Sequence, residues 1–477
     1  MAFSLATEFR SLSLGDPRRD RRARMILEGW SRAPQASFPQ MFESEAEEEG
    51  LYGFVENPYV NPELIFAAHR VETSARIEQT GESLVLVLHD TTTFSFPGES
   101  ERKDLGWVSS ETQGFHGHFA LAVSADGTRC PFGVVGLSTI MPPRPPPPKT
   151  PKEESTTRTR ATDPTRESLR WGQLACKVSE DLRGIAIAVH VMDREGDAYI
   201  TLGTLCKNAL RFVIRVSELS RLVTNEADNF AKKASIRTVV ERSISLVERD
   251  VELSRRRRQL SPSLRKKHPP REARTARLEI STARVRLPKP HYVVEEVPES
   301  IEVNVVCVRE IDAPDGVEPV LWVLYTTESI DTVEDVLRLV DIYRARWLIE
   351  EFFKALKTGC AYEKRQLESA HALLIALALC TPVAWQMLAL RHLSRTNPDA
   401  PASDVVAPER VAAIRTIARK PLPPMPTIKD VCYAIAALGG HKARNGPPGW
   451  ITLRRGFDKL LFAERVLAAA KSTERCG

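Results

Sequence analysis

The spacing of apolar residues changes character several times along this chain, and each change marks an element boundary. Residues 1 to about 75 read as helical, with Asp16 offering an N-cap acceptor and Pro17 the first helical position. From Ser83 the pattern becomes continuous apolar runs of strand length. Residues 84–88 (LVLVL) end in His89 and Asp90, followed by Thr91, Thr92 and Thr93. Runs at 117–124 and 130–138 follow, with Asp126 and Gly127 as the turn between them, so a three-stranded meander is predicted. Residues 141–164 carry prolines that remove backbone donors, which makes this stretch a solvated loop or tether. Helical patterning resumes at Glu167, Ser168, Leu169, Arg170 and Trp171. Residues 184–195 then form a fourth buried strand with Asp193 at its carboxyl end, and 211–217 a fifth.

Meander, helix, strand, helix, strand is the order of a mixed α/β core, a mixed sheet flanked by helices. Residues from about 218 to 320 interrupt it. Alternating runs at 278–287 and 301–310, with 320–327 behind them, predict a β-rich insertion with a basic hairpin tip. From Thr332 to about Lys357 the chain reads as one helix. The remainder is mostly helical, broken by loops at 398–408, 421–426 and 444–450. The most apolar stretch, 370–390, contains His371, Thr381, Pro382 and Gln386 and reads as a buried core helix rather than a membrane span.

Composition adds limits to this picture. A chain of 477 residues exceeds what one compact core holds, so about two or three domains are expected. Net charge is +5, which suits a nucleic-acid partner without demanding one. The distribution of charge says more. Arg18, Arg19, Arg21, Arg22 and Arg24 crowd one short helical stretch, open to two readings: a solvated amphipathic face, or a helix lying on a phosphate backbone. Between Arg255 and Arg277 stand ten Lys/Arg against the single acid Glu272. The eight cysteines are scattered, with no CxxC pair and no zinc-ligand spacing, which points to reduced thiols in a cytoplasmic protein and away from a zinc site. The first residues hold no apolar run of signal-peptide type, so a soluble, intracellular protein is expected.

Candidate chemistry rests on three acids. Asp90 and Asp193 share one predicted position, the carboxyl end of a buried strand, which is where α/β sheets bind ligands. The third is Glu350. In the predicted helix, Tyr343, Arg346, Glu350 and Lys357 fall within roughly 60° of one another at about 100° per residue and so form one polar stripe. Ile342, Ala345, Ile349, Phe352 and Leu356 form the neighbouring stripe that anchors the helix.

The spacing Tyr-x2-Arg-x3-Glu-x6-Lys, carried here by Tyr343, Arg346, Glu350 and Lys357, resembles the YREK motif of the bacterial insertion-sequence-four family of DDE transposases. The resemblance spans the chain. Ser13 to Arg19 is similar to the family's end-binding segment, and Gly50-Leu51-Tyr52-Gly53-Phe54 with Asn57-Pro58 to its second part. Asp90-Thr91-Thr92 resembles the first catalytic strand and Asp193-Arg194-Glu195 the second, with Glu167, Ser168 and Trp171 matching a helix between them. Ala436 to Gly440 and Gly449-Trp450 resemble the C-terminal dimerisation domain.

This resemblance implies a helical DNA end-binding domain over 1–75, an RNase H-like catalytic core over 76–375 with the β-rich insertion at about 218–320, and a helical dimerisation domain over 376–477. It implies that Asp90, Asp193 and Glu350 are the catalytic acids and hold two Mg²⁺ ions, for which Mn²⁺ can substitute; oxygen ligands suit both. Arg18, Arg19, Arg22, Tyr52, Arg215, Trp322, Tyr343, Arg346 and Lys357 are the implied DNA contacts. For Trp322, a base-stacking pocket and a plain core position both stay open. The implied partners are transposon-end inverted-repeat DNA, target DNA and a second copy of the chain in the synaptic complex, with no membrane. The implied reaction is cut-and-paste strand cleavage and transfer of the 3′-end, through a hairpin intermediate, in the bacterial cytoplasm at the nucleoid.

Two features depart from the family pattern: His89 stands before the first acid where relatives carry an acid, and the proline-rich stretch 142–151 has no counterpart. Two other function classes compete. One is a DNA-binding regulator of transposition without catalysis; the other is an RNase H-like nuclease without a joining step. Intact acids and an intact YREK spacing weigh against the first. The arginine-rich start and the dimerisation resemblance weigh against the second.

Overall fold

A computed structural model describes residues 7–144 apart from 33, 43 and 99, then 166, 168–253 and 270–476. Most of the proline-rich stretch, Glu167, and the basic residues Arg255–Arg258, Arg265, Lys266 and Lys267 lie outside the described residues. The helices are α1 (Pro17–Arg32), α2 (Phe38–Met41), α3 (Glu45–Val55), α4 (Pro62–Thr80), α5 (Leu169–Asp181), α6 (Tyr199–Lys207), α7 (Ile236–Arg242), α8 (Val333–Ala345), α9 (Trp347–Lys354), α10 (Ala370–Thr396), α11 (Pro408–Ile417), α12 (Ile428–Leu438) and α13 (Trp450–Cys476). The strands are β1 (Leu84–Phe96), β2 (Gln113–Ser124), β3 (Pro131–Ile140), β4 (Ile187–Met192), β5 (Arg211–Arg215), β6 (Leu222–Asn225), β7 (Lys233–Ser235), β8 (Ser245–Leu253), β9 (Arg274–Pro288), β10 (Ser300–Ile311) and β11 (Leu321–Thr326). They gather into two compact units, one of residues 1–154, 177–188 and 347–477, the other of 155–176 and 189–346.

In the first unit β1, β2 and β3 form the expected antiparallel meander. One expectation is corrected: Asp90 does not end its strand. β1 runs on to Phe96 because Thr91, Thr92 and Thr93 are β-branched and pair with β2 throughout. Phe94, Phe96, Phe115 and Phe119 are buried on one face of this pair, each contributing on the order of 1.5–3 kcal/mol. α10 is the core helix of the unit, with 89% of its most apolar window buried. A buried polar knot ties the N-terminal segment to α4, β3 and α10. Glu8 accepts from His69 Nδ1 at 2.5 Å and from the Arg76 guanidinium. His69 Nε2 accepts the Val134 N–H at 3.1 Å, Arg76 Nε donates to the Phe132 carbonyl at 2.7 Å, and the Arg76 guanidinium lies 3.9 Å from the Trp385 ring centre.

The second unit is built on a mixed sheet in the order β4-β5-β11-β10-β9-β6-β7, with β8 also paired to β9. β4 and β5 are parallel, and the other pairings within this unit are antiparallel. The stretch 218–320 is β-rich, and it continues this sheet directly: β10 pairs with β11 from Asn304–Thr326 to Arg309–Leu321. At fifteen residues, β9 is long enough to hold β8 along one end and β6 along the other. Trp171, Phe212, Ile214, Leu287, Val305 and Tyr325 belong to its buried core.

Candidate functional site

The expected single helix over 332–357 is also corrected. α8 ends at Ala345, Arg346 is a turn residue, and α9 restarts at Trp347 before passing into a π turn at Ala355–Gly359. A uniform 100° stripe therefore does not describe Tyr343, Arg346, Glu350 and Lys357. Tyr343 is buried rather than on a polar surface, while the anchoring residues Ile342, Ala345, Ile349, Phe352 and Leu356 are all buried.

Asp90 and Glu350 both belong to the first unit. Asp90 sits opposite Phe119 on β2, so the two side chains share a face. The Phe119 ring meets Phe352 and Phe353 of α9, each at 5.6 Å. Glu350 is half-buried on the same helix, one turn before Phe353. Asp90 is half-buried, and its carboxylate accepts the Thr91 N–H at 2.8 Å. The opposite face of β1 is pinned by cross-strand pairs: Thr91 to His118 at 2.9 Å and Thr93 to His116 at 3.0 Å. His89, the departure from the family pattern, is buried on that opposite face and stacks on His118 at 5.6 Å.

Neighbouring acids are already committed. Glu351 accepts from Arg391 at 2.5 Å, from Trp450 Nε1 at 2.9 Å and from Lys354 at 2.6 Å. Burial pushes its pKa up, but Arg391 and Lys354 outweigh this and hold the carboxyl below its ordinary value. Lys357 donates to the Thr93 carbonyl, pairs with Glu363 at 3.4 Å and lies over the Phe94 ring. It clamps β1 from the helix side.

Asp193 belongs to the second unit, just past β4. Its carboxylate accepts the Glu195 N–H at 2.9 Å and caps a short turn, Arg194–Gly196. The parallel register Met192–Ile214 brings Asp193 level with Arg215. Arg215 donates to the Leu321 carbonyl at 3.0 Å. Burial lowers its pKa, Tyr343 opposes that, and the nearby Arg194 and Arg346 add to the lowering. Trp322 meets Tyr343 edge-on at 5.6 Å. Arg194, Arg215, Trp322, Tyr343 and Arg346 therefore form one basic-aromatic cluster. Sequence reasoning placed Arg194 only within the second-strand motif; its nearness to Arg215 comes from the register. Asp197, four residues past Asp193, is a structural acid, buried against Arg221 at 2.5 Å and accepting the Ser217 N–H at 2.7 Å.

On α1, Ala23, Ile26, Leu27 and Trp30 face inward while Arg18, Arg21 and Arg24 are exposed. Asp16 accepts the Arg18 N–H at 2.8 Å and also its guanidinium, which holds the Asp16 carboxyl below its usual range. The Arg22 guanidinium rests against Gly50, where a Cβ would collide with it. Tyr52 is half-buried, its ring 5.9 Å from Phe38, and burial with help from Glu48 raises its hydroxyl pKa.

Among the described residues no group of three or more His, Cys, Asp or Glu is placed to hold a metal ion. Asp90 and Glu350 are carried by two elements that pack together through Phe119, Phe352 and Phe353, and carboxylate oxygens are a donor chemistry that fits a hard divalent cation.

A strand acid, a helix acid, a basic-aromatic cluster and an arginine-rich helix are groups suited to phosphodiester chemistry. Residues 3–60 match the family described as Transposase DNA-binding, and residues 180–383 match the family described as Transposase DDE domain. The chain carries both and is a DDE transposase, a DNA-binding enzyme of a class that uses divalent metal ions. The second match includes Asp193 and Glu350 and begins after Asp90. Among solved structures the chain is similar to one described as "Cryo-EM structure of piggyBac transposase synaptic complex with hairpin DNA (SNHP)". That similarity has 9% identity over 83% of this chain and 73% of that one, at a TM-score of 0.36, too low to carry an argument.

Proposed function

We propose that this protein cuts DNA at the ends of its own transposon and transfers the 3′-end to target DNA, as the insertion-sequence-four enzymes it resembles do, the transposon-five transposase among them. The observation that carries this reading is the packing of α9, which bears Glu350, on the Phe119 that stands opposite Asp90, with the neighbouring acid Glu351 held by Arg391, Lys354 and Trp450. Asp193 supplies the third acid of an RNase H-like core over 76–375. Residues 1–75 bind the ends, and 376–477 join two copies in the synapse. Together Asp90, Asp193 and Glu350 would hold two Mg²⁺, whose chemistry when bound is to activate a water or 3′-hydroxyl and to stabilise the leaving oxygen.

The chain's own residues position the DNA. Arg215 and Arg346 hold phosphates beside the scissile bond, with Tyr343 between them. Trp322 stacks on a base displaced as the end folds into a hairpin, which contributes about 1–3 kcal/mol. Lys357 reaches a phosphate by exchanging its Thr93 partner. The protein works in the bacterial cytoplasm, on the nucleoid.

The test is cleavage of duplexes made from the DNA flanking the reading frame, with Mg²⁺ present. Asp90→Ala, Asp193→Ala and Glu350→Ala should each abolish cutting while end binding and melting temperature persist. Unchanged cutting removes that residue from the mechanism, and binding without cutting by the unaltered chain marks a regulator instead.

A further inference from the structure

Tyr59 is 74% exposed although it sits in a well-fastened turn. Its N–H donates to the Asn57 side chain at 2.9 Å, and the Val60 N–H to the Asn57 carbonyl at 3.0 Å. From α10, His371 Nε2 donates to the same carbonyl at 3.1 Å, and Val60 is fully buried. On the far side Asn61 caps α4, accepting the Glu63 N–H at 2.9 Å. The turn holds a large ring out in water, at a hydrophobic cost.

That ring stands beside the arginines of α1. The Arg19 guanidinium lies 5.3 Å from its centre, and the side chain of Arg18, the preceding residue on α1, is 89% exposed. The surrounding acids are mostly neutralised. Asp16 is paired with Arg18, Asp20 accepts the Leu14 N–H at 2.7 Å, and Glu63 meets Arg70 at 3.5 Å and Lys177 at 3.4 Å. Glu56 is the remaining exposed carboxylate of the turn. Cations interleaved with a preset aromatic ring suit a nucleic-acid backbone with its sugars and bases.

We propose that Tyr59 is a DNA contact of the end-binding segment, its ring packed on a deoxyribose or base at a groove edge while Arg18 and Arg19 hold the adjoining phosphates. This rests on residues 1–75 binding transposon ends.

The test is the salt dependence of binding by the full chain to a duplex carrying the flanking terminal sequence. Tyr59→Ala should weaken binding about tenfold, as loss of one stacked ring does. Tyr59→Phe should stay within about twofold, because the ring rather than the hydroxyl makes the contact. Neither should alter melting temperature. The slope of log affinity against log salt should be unchanged in Tyr59→Ala but shallower by about 0.9 in Arg18→Ala, which removes a phosphate contact. Full affinity in Tyr59→Ala, alongside a shallower slope in Arg18→Ala, overturns the Tyr59 contact and leaves the end-binding reading standing. A shallower slope in Tyr59→Ala also overturns it, since the ring would then act only through Arg19. No duplex binding by the unaltered chain overturns both.

Discussion

At the scale of single residues, two adjacent acids are proposed to have opposite duties. Glu350 and Glu351 are equivalent in composition, and packing commits one of them: Glu351 is bound by Arg391, Trp450 and Lys354, while Glu350 is the acid at the motif spacing. Glu350→Gln should cut cleavage by roughly 10³-fold or more at unchanged melting temperature. Glu351→Gln should cost about 1–3 kcal/mol of stability, read from urea unfolding, and leave the rate per folded molecule near normal. The knot at His69 gives a second expectation. Nε2 accepts a backbone N–H, so the proton sits on Nδ1 and the ring is neutral. Burial lowers the His69 pKa, Glu8 opposes this, and Arg76 adds to the lowering. A histidine whose folded pKa lies below its ordinary 6.5 leaves the unfolded chain binding more protons, so stability falls as pH drops below about 6.5. Glu8, whose pKa is also lowered, adds a loss only at more acid pH, below its ordinary 4.5. His69→Gln keeps a donor and an acceptor without titrating. Melting temperatures between pH 7.5 and 5 should therefore fall less steeply in this variant, and an equal slope would show that His69 does not set it.

At the scale of elements, what period can express was legible and what tertiary contact decides was not. The meander, the core helix α10 and the β-rich character of 218–320 follow from apolar spacing alone. The extension of β1 through Asp90 does not, because an acid followed by three threonines reads equally as a strand end; the unbroken ladder to β2 settles it. The break at Arg346 and the π turn at Ala355–Gly359 have no composition signal at all, since neither proline nor glycine marks them before Gly359. Glycines were visible in the sequence, but their use was not. α12 and α13 cross so closely that a Cβ on Gly456 would collide with the Ile435 carbonyl, and one at Gly439 with the Thr452 carbonyl. Backbone cannot yield as a side chain can, so Gly456→Ala should destabilise the protein by about 1–3 kcal/mol or more. A thermal melt would show it, and an unchanged midpoint would refute the crossing.

At the scale of the whole molecule, the three acids are drawn from both compact units, Asp90 and Glu350 from one and Asp193 from the other. The sequence singles them out through motif spacing. It does not single out their neighbours: Phe119 as the link from Asp90 to α9, and Arg194 beside Arg215, depend on strand register. If the acids serve one pair of ions, they act as a unit, and losses within a unit do not add. Independent roles would place the triple variant Asp90→Ala, Asp193→Ala, Glu350→Ala below the unaltered chain by the product of the three separate losses, and so well below any single variant. A shared role makes each single variant as inactive as the triple. Single-turnover cleavage of a pre-bound end fragment separates the two, because binding is already complete when metal is added. Equal residual rates in all four proteins, above the rate without protein, are the expected result. A graded series would show that the carboxylates contribute separately and that a shared metal site is the wrong description.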